Sequence, residues 1–313
     1  MVAGRLGKKK IILIGWGKPI YDFYNILKFK RKYEIIIITH KKKNHLNDIK
    51  YFDNKKIFFD IFSIKDKVKI IQTDKINIKI INFLIKNKTD LIISAGSKFI
   101  FKKKFINTFK NKIINFHPSF LPEERGGANF TYRILNNQYY AAATAHYVDE
   151  GIDTGDIIEQ KKIFIKKNDL ENLFINTYKL YSEIFKKILN NKIVKKKQKM
   201  QNANYFKKLN SELDGKINWN WDGKYIELFI KAFGRPYKGA FCLINKKKIY
   251  ILKAKFLKSK NVHPFLYGKV FKNFNDGRCH VFCKGGFLEI IKVSLDVIMF
   301  SPNKIIKLKD SLN

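Results

Sequence analysis

The chain has 313 residues, 45% hydrophobic and 15% aromatic, enough for two packed domains and incompatible with a disordered chain. No run approaches the roughly 18 uncharged apolar residues that span a bilayer, and three cysteines (Cys242, Cys279, Cys283) exclude a disulfide scaffold and fit a reducing, cytoplasmic compartment. Basic residues outnumber acidic ones 64 to 26, a net +38, but only six of them are Arg; a Lys-dominated bias spread over the whole chain attracts acidic ligands without marking a dedicated nucleic-acid face.

Met1–Gly7 reads as a loose tail. Lys8–Lys10 precede an apolar run that is too short for a signal peptide and lacks a cleavage site. Ile11–Ile14 is a buried strand that ends in the tight turn Gly15-Trp16-Gly17; without a third glycine, the turn is a weak match to a dinucleotide fingerprint. Helical spacing over Ile20–Phe29, a strand at Glu34–Thr39, a helix over Asp74–Lys88 and a strand at Leu91–Ser94 follow. The basic, aromatic stretch Phe99–Phe109 leads into a strand at Lys112–His117. This alternation predicts an α/β fold, a Rossmann-like parallel sheet with helices on both faces and ligands at the carboxyl ends of its strands. Further on, a helix is expected at Ala128–Asn136, a strand at Thr144–Val148, and a helix at Leu170–Leu189 capped by Asn168 or Asp169. The polar stretch from Lys195 to Asn204 looks unstructured, so the boundary falls there: a domain at 8–192, a linker at 193–210 and a module at 211–313. After a helix at Gly223–Phe233 the module carries short strands at Phe241–Ile244, Lys248–Ala254, Gly268–Val270, Cys279–Phe282 and Phe287–Val293, a smaller β-rich, barrel-like unit.

Chemistry concentrates in residues 113–160. Asn115 and His117 lie two apart at a strand end, so both side chains share a face. Pro118 and Pro122 extend the following loop, and Arg125-Gly126-Gly127 ends it with room for close backbone approach. His146 sits on the next strand, and the turn Asp149–Gly155 presents Asp153. An Asn, a His and an Asp at strand ends form an acyl-transfer set. The amide donates to a developing oxyanion, where losing one such donor costs roughly 3–4 kcal/mol. The imidazole moves the proton of an attacking amine. The carboxylate orients the imidazole and favours its protonated form. No Ser or Cys has the partners of a covalent nucleophile. Singly, each residue has a structural explanation: a capping Asn, a His beside Pro, a solvated acidic turn. Together they are too specific for that. Cys279-His280-x-x-Cys283 lacks a second ligand pair and strand alternation splits its side chains, so no metal is expected.

The run Asn115-Phe116-His117-Pro118-Ser119-Phe120-Leu121-Pro122, with Arg125-Gly126, His146 and Gly151-Ile152-Asp153-Thr154-Gly155, resembles formyltransferases that use 10-formyltetrahydrofolate. A weaker resemblance, through Asp214–Trp219 and Pro236–Phe241, is to the C-terminal module of methionyl-tRNA formyltransferases and nucleotide-sugar N-formyltransferases, although Trp219, Phe229 and Phe233 are expected chiefly to pack the module on the first domain. The resemblance implies Asn115, His117 and Asp153 as catalytic residues. It implies a folate cleft at Leu91, Ile93, Ser94, Ala95, Val148, Asp149, Gly151 and Ile152. Ser119, Arg125, Gly126, Gly127 and His146 would serve the substrate, with His146 orienting from behind the turn. It implies 10-formyltetrahydrofolate as cosubstrate and no metal. Because Gly127-Ala128-Asn129-Phe130-Thr131 follows Arg125-Gly126, and His40–His45 carries no long basic loop of the tRNA type, the expected partner is a nucleotide-linked amino sugar. Initiator Met-tRNA is the alternative, and a second copy of the chain is a further candidate partner. Glycinamide ribonucleotide formylation and a basic binding protein rank below both.

Overall fold

The computed structural model describes residues 8–44, 51, 58–190 and 193–312; the tail Met1–Gly7 and His45 lie outside them. Four strands, β1 (Lys9–Gly15), β2 (Tyr33–Thr39), β4 (Leu91–Ala95) and β5 (Ile113–His117), fall where their apolar runs predict. A further strand, β3 (Lys69–Gln72), sits at the sheet edge. The two-residue β6 (Arg125–Gly126), then β7 (Tyr140–Tyr147) and β8 (Ile157–Phe164), follow. Seven of these make one sheet in the order β3-β2-β1-β4-β5-β7-β8. The first five are parallel, whereas β7 and β8 join antiparallel, so the expectation of a parallel sheet holds only up to β5. Near-continuous Ile runs such as Ile35–Ile38 suit strands covered on both faces. One face packs Leu13, Ile37, Ile93 and Ile114 under the helices Gly17–Lys28 and Leu170–Asn190. The other packs Ile12, Ile36, Ile92 and Ile113 under Ile78–Lys86 and Lys103–Thr108. The 78–86 helix starts four residues later than its spacing suggests, because the Asn77 side chain accepts from the Ile80 N–H at 3.1 Å and caps it there. Asp169 caps the long helix by accepting from the Asn172 N–H at 2.8 Å.

Strand order reverses between β1 and β4, which opens a crevice beyond their carboxyl ends. Gly15 ends β1 there with φ +143°, and a Cβ at this position would stand 1.9 Å from the Ala95 carbonyl oxygen. Gly15→Ala is therefore expected to lose about 3 kcal/mol or more; an unchanged denaturant midpoint would contradict this packing.

The second unit is an antiparallel sheet: β10 (Ala240–Ile244), β11 (Lys247–Lys258), β12 (Val270–Asn273), β13 (Cys279–Cys283) and β14 (Gly286–Leu295) run in the order β10-β11-β14-β13-β12, and β15 (Ile298–Phe300) pairs with β14. Trp219, Phe229 and Phe233 are buried, and the helix Gly223–Ala232 meets the helix Asn129–Leu135, where the Thr131 hydroxyl donates to the Ala232 carbonyl at 3.2 Å. Cys279 and Cys283 are buried, while the His280 ring lies 3.3 Å from Glu289. Among the described residues no three His, Cys, Asp or Glu side chains group to hold a metal, and no helix is long and apolar enough to cross a membrane.

The stretch 195–206 is ordered as a strap over the first unit, contrary to the unstructured linker its polarity suggests. Its strand β9 (Tyr205–Phe206) pairs with β6, and the Gly127 N–H donates to the Phe206 carbonyl at 2.8 Å. The Gln198 side chain accepts from Arg125 at 2.7 Å and donates to the Asp153 and Gly155 carbonyls, both at 2.8 Å. Backbone polar groups of two adjacent loops supply the partners that the polar sequence needs.

Candidate active site

Strand register builds the site. Ser94 on β4 stands beside Asn115 on β5, which stands beside His146 on β7, so one row across three strands carries three polar side chains. The turn after β7 brings Asp153 onto this row with φ +53°, a left-handed conformation that Asp and Asn tolerate. Asp153 then faces two imidazoles, with Oδ2 3.5 Å from His117 Nδ1 and Oδ1 3.5 Å from His146 Nε2. The Gly126 N–H donates to Asp153 Oδ2 at 2.9 Å.

Backbone carbonyls settle where the imidazole protons sit. His117 Nε2 lies 2.8 Å from the Glu124 carbonyl oxygen, and His146 Nδ1 lies 2.8 Å from the Tyr147 carbonyl oxygen. A carbonyl only accepts, so each of these nitrogens carries the hydrogen, and each neutral ring turns its bare nitrogen toward Asp153. The Asn115 amide, 3.3 Å from His146 Nε2, donates to that bare nitrogen. Burial pushes the His117 imidazole below its ordinary value, despite the opposing pull of Asp153. Asp153 does favour the protonated ring, as expected, but desolvation of a ring only 5% exposed outweighs a carboxylate at 3.5 Å. For Asp153 burial acts upward, but the His117 and His146 rings in their protonated form and the Gly126 N–H outweigh it and hold the carboxyl well below the usual range.

One cavity opens at this centre and a second lies across the segment 94–98 from it. The smaller, about 280 Å³, is lined by Ser94, Asn115, His146, Asp153 and the turn Val148–Ile152, together with Ser97, Phe99, Ile100 and Phe101. The Ser94 hydroxyl is buried in its wall with no hydrogen-bond partner among the described residues. The larger, about 560 Å³, opens at the crevice with Trp16, Gly96, Lys98 and Pro118 on its walls. Tyr178 and Tyr181 of the long helix and Tyr237 and Lys238 of the second unit also line it. The segment 94–98 separates the two.

Several expected contacts move. Of the cleft residues on β4 only Ser94 reaches the cavity; Leu91, Ile93 and Ala95 are held between β1 and β5, which use up their backbone groups in ladders. Val148, Asp149, Gly151 and Ile152 do line it. Ser119, Arg125, Gly126 and Gly127 line neither cavity. Ser119 is fully buried and donates to the Glu124 carbonyl at 2.7 Å, Arg125 is tied to Gln198, and the two glycines bond to Asp153 and the strap. His146 faces the cavity beside Asn115 instead of orienting from behind, and His117 is the ring buried behind Asp153.

Sequence reasoning missed the frame beneath the loop. The Glu124 carbonyl oxygen accepts from His117, Ser119 and Asn129, the last at 2.8 Å. Its carboxylate, in turn, is gripped by Arg133 at 2.5 Å and by the Tyr140 hydroxyl at 2.5 Å. Burial, then Glu124, pushes the Tyr140 phenol well up, so it stays a donor. Glu124 and Arg133 nine residues apart, on a loop and the helix after it, were the available signal.

Family comparison adds an independent line. The formyl transferase model matches residues 9–189, and the formyl transferase C-terminal domain model matches residues 210–304. A methionyl-tRNA formyltransferase of Rickettsia felis is 31% identical over 220 residues, covering 69% of this chain and 70% of that protein. A sugar 3N-formyl transferase crystallised in the presence of dTDP and 5-N-formyl-THF superposes with a TM-score of 0.61 at 26% identity, over 90% of this chain and 96% of that one. An N-formyltransferase from Helicobacter canadensis, in complex with folinic acid and dTDP-3-aminofucose, shares the fold with a TM-score of 0.65 at 22% identity, over 91% of this chain and 100% of that one.

Proposed function

The chain belongs to the formyl transferase family and is an N-formyltransferase, and from that premise we propose that it moves the formyl group of 10-formyltetrahydrofolate onto the amine of a nucleotide-linked amino sugar. The observation that carries the reading is a cavity walled by Asn115, His146 and Asp153, with a second, larger cavity across the segment 94–98, one for each reactant. A folate-type donor suits the smaller cavity, whose wall holds the unpartnered Ser94 hydroxyl, the Asn115 amide and the aromatic rings of Phe99 and Phe101. The donor supplies an electrophilic formyl carbon. The larger cavity suits an acceptor with flat rings, since aromatic side chains wall it, and Lys98 stands on it, whereas Lys238 is already paired with Glu212 and Asp296. Similarity to the sugar 3N-formyl transferase over 90% of this chain supports that acceptor.

Asn115 offers an amide N–H to the oxygen on which charge develops. The amine attacks the formyl carbon and its proton passes to the array His117–Asp153–His146, which goes from one negative charge with two bare nitrogens to neutral; as the bond from the formyl carbon to the folate N10 breaks, that proton goes on to N10 and the array regains its starting charge. A low-dielectric pocket favours that neutralisation. Confining both reactants supplies much of the remaining rate.

The 31% identity to the Rickettsia felis protein favours a second reading, with initiator Met-tRNA as acceptor. Incubation with 10-formyltetrahydrofolate and a panel of nucleotide-linked amino sugars, beside charged initiator tRNA, separates the two by tetrahydrofolate release. Sugar turnover that varies little with salt is expected. Turnover on tRNA alone, falling steeply with salt, would overturn the sugar reading.

A further inference from the structure

One backbone oxygen beneath the loop serves three buried side chains. The Glu124 carbonyl accepts from His117 Nε2 at 2.8 Å, from the Ser119 hydroxyl at 2.7 Å and from the Asn129 amide at 2.8 Å. All three donors are buried, Ser119 completely. A carbonyl oxygen offers two lone pairs, so three donors crowd it and each draws less from it. Ser119 and Asn129 therefore compete with His117 for the acceptor at its Nε2. Neither lines the two cavities, so this oxygen is where each acts on the site.

The competition bears on how basic the ring is. When Nδ1 takes a proton, Nε2–H becomes a charged donor, and a charge-assisted bond gains more from a good acceptor than a neutral one does. A shared oxygen gives the imidazolium less than an unshared one would. The other groups around the ring divide by sign. Asp153, with Oδ2 3.5 Å from Nδ1, favours the proton. The Glu124 carboxylate favours it too, with Arg133 bonded to that carboxylate from behind. His146 opposes it. Tyr181, on the long helix, commits its hydroxyl to the Phe116 carbonyl at 2.9 Å.

We propose that Ser119 and Asn129 are positioning residues that keep His117 a weak base by loading the oxygen its Nε2 would otherwise hold alone. The purpose rests on the proton-accepting role given to His117 above, since the ring has to be bare when the amine attacks. The test does not rest on it.

Nitrogen NMR of isotope-labelled histidine follows the ring through a pH series in the full chain without either reactant, and His117→Gln identifies its signals among the six histidines. Ser119→Ala and Asn129→Ala are each expected to raise the His117 midpoint by about half a pH unit or more, and the double variant further. If the parent ring stays neutral down to acid unfolding, the double variant should bring its midpoint into range. The acid limb of kcat/KM should move up with it. Thr144→Val loosens the same loop, because the Thr144 hydroxyl donates to the Ser119 carbonyl at 2.7 Å, but it leaves the Glu124 oxygen loaded and should leave the midpoint in place. A midpoint unmoved or lowered in the double variant would overturn the proposal. So would an equal rise in Thr144→Val, because loosening would then be the cause. Raised midpoints with an unmoved acid limb would keep this inference and remove His117 as the proton acceptor.

Discussion

Asp153→Asn is expected to lower turnover by roughly a hundred- to ten-thousandfold, the range for losing a positioned proton acceptor, with the chain still folded. Asparagine is the informative replacement, because the position needs φ +53° and a side-chain oxygen to accept the Gly126 N–H. What it removes is the charge shared by the two imidazoles. The pH dependence follows by sign. The array must start with a bare nitrogen on His117, so turnover is lost as pH falls and that ring takes a proton from solvent. Burial holds His117 below its ordinary value, so its share of this acid limb lies below the usual histidine range of about 6.5. Asp153 pulls the His117 value upward, so the variant's residual activity should have its acid limb at lower pH. A variant within threefold of the parent rate would remove Asp153 from the mechanism.

Arg133→Met is expected to cost about 3–5 kcal/mol, the penalty for stripping the partner from a buried charge. Arg133 is fully buried, and its guanidinium bonds the Glu124 carboxylate and the Pro118 carbonyl, the latter at 3.2 Å. Without it, Glu124, itself only 3% exposed, keeps its charge with the Tyr140 phenol and a long bond from the Phe120 N–H to answer it. The double variant Arg133→Met/Glu124→Met should regain much of the loss, since an apolar pair of similar volume is often tolerated. Both values come from denaturant melts. A loss below 1 kcal/mol in the single variant would show that the pair is not what holds the loop.

The strands that carry the fold were legible because burial on both faces leaves nearly uncharged runs such as Ile35–Ile38. The edge strand β3 was not: Lys69-Ile70-Ile71-Gln72 is short and half exposed, and its pattern matches a loop as well as a strand. The reversal at β7 was hidden for another reason. Direction is set by the length and path of the 118–139 connection, and side-chain periodicity is blind to it. Asn115, His117 and Asp153 could be named from spacing because strand period and a turn fix them locally. The standing of His146 could not, since it depends on its pairing opposite Asn115 in the ladder. The buried roles of Ser119 and Arg125 were equally illegible, because their partners, Glu124 and Gln198, are recognised as such only once the loop and the strap have closed on each other.

The grip of Gln198 on both Arg125 and the Asp153 carbonyl has a consequence for how such chains diversify. The seam between the halves is not a neutral splice point, because residues 195–206 are tailored to the first half. A chimera that brings in a foreign C-terminal half should cross over after Phe206; joined any earlier, it would import a stranger's clasp and leave the turn that carries Asp153 unsupported.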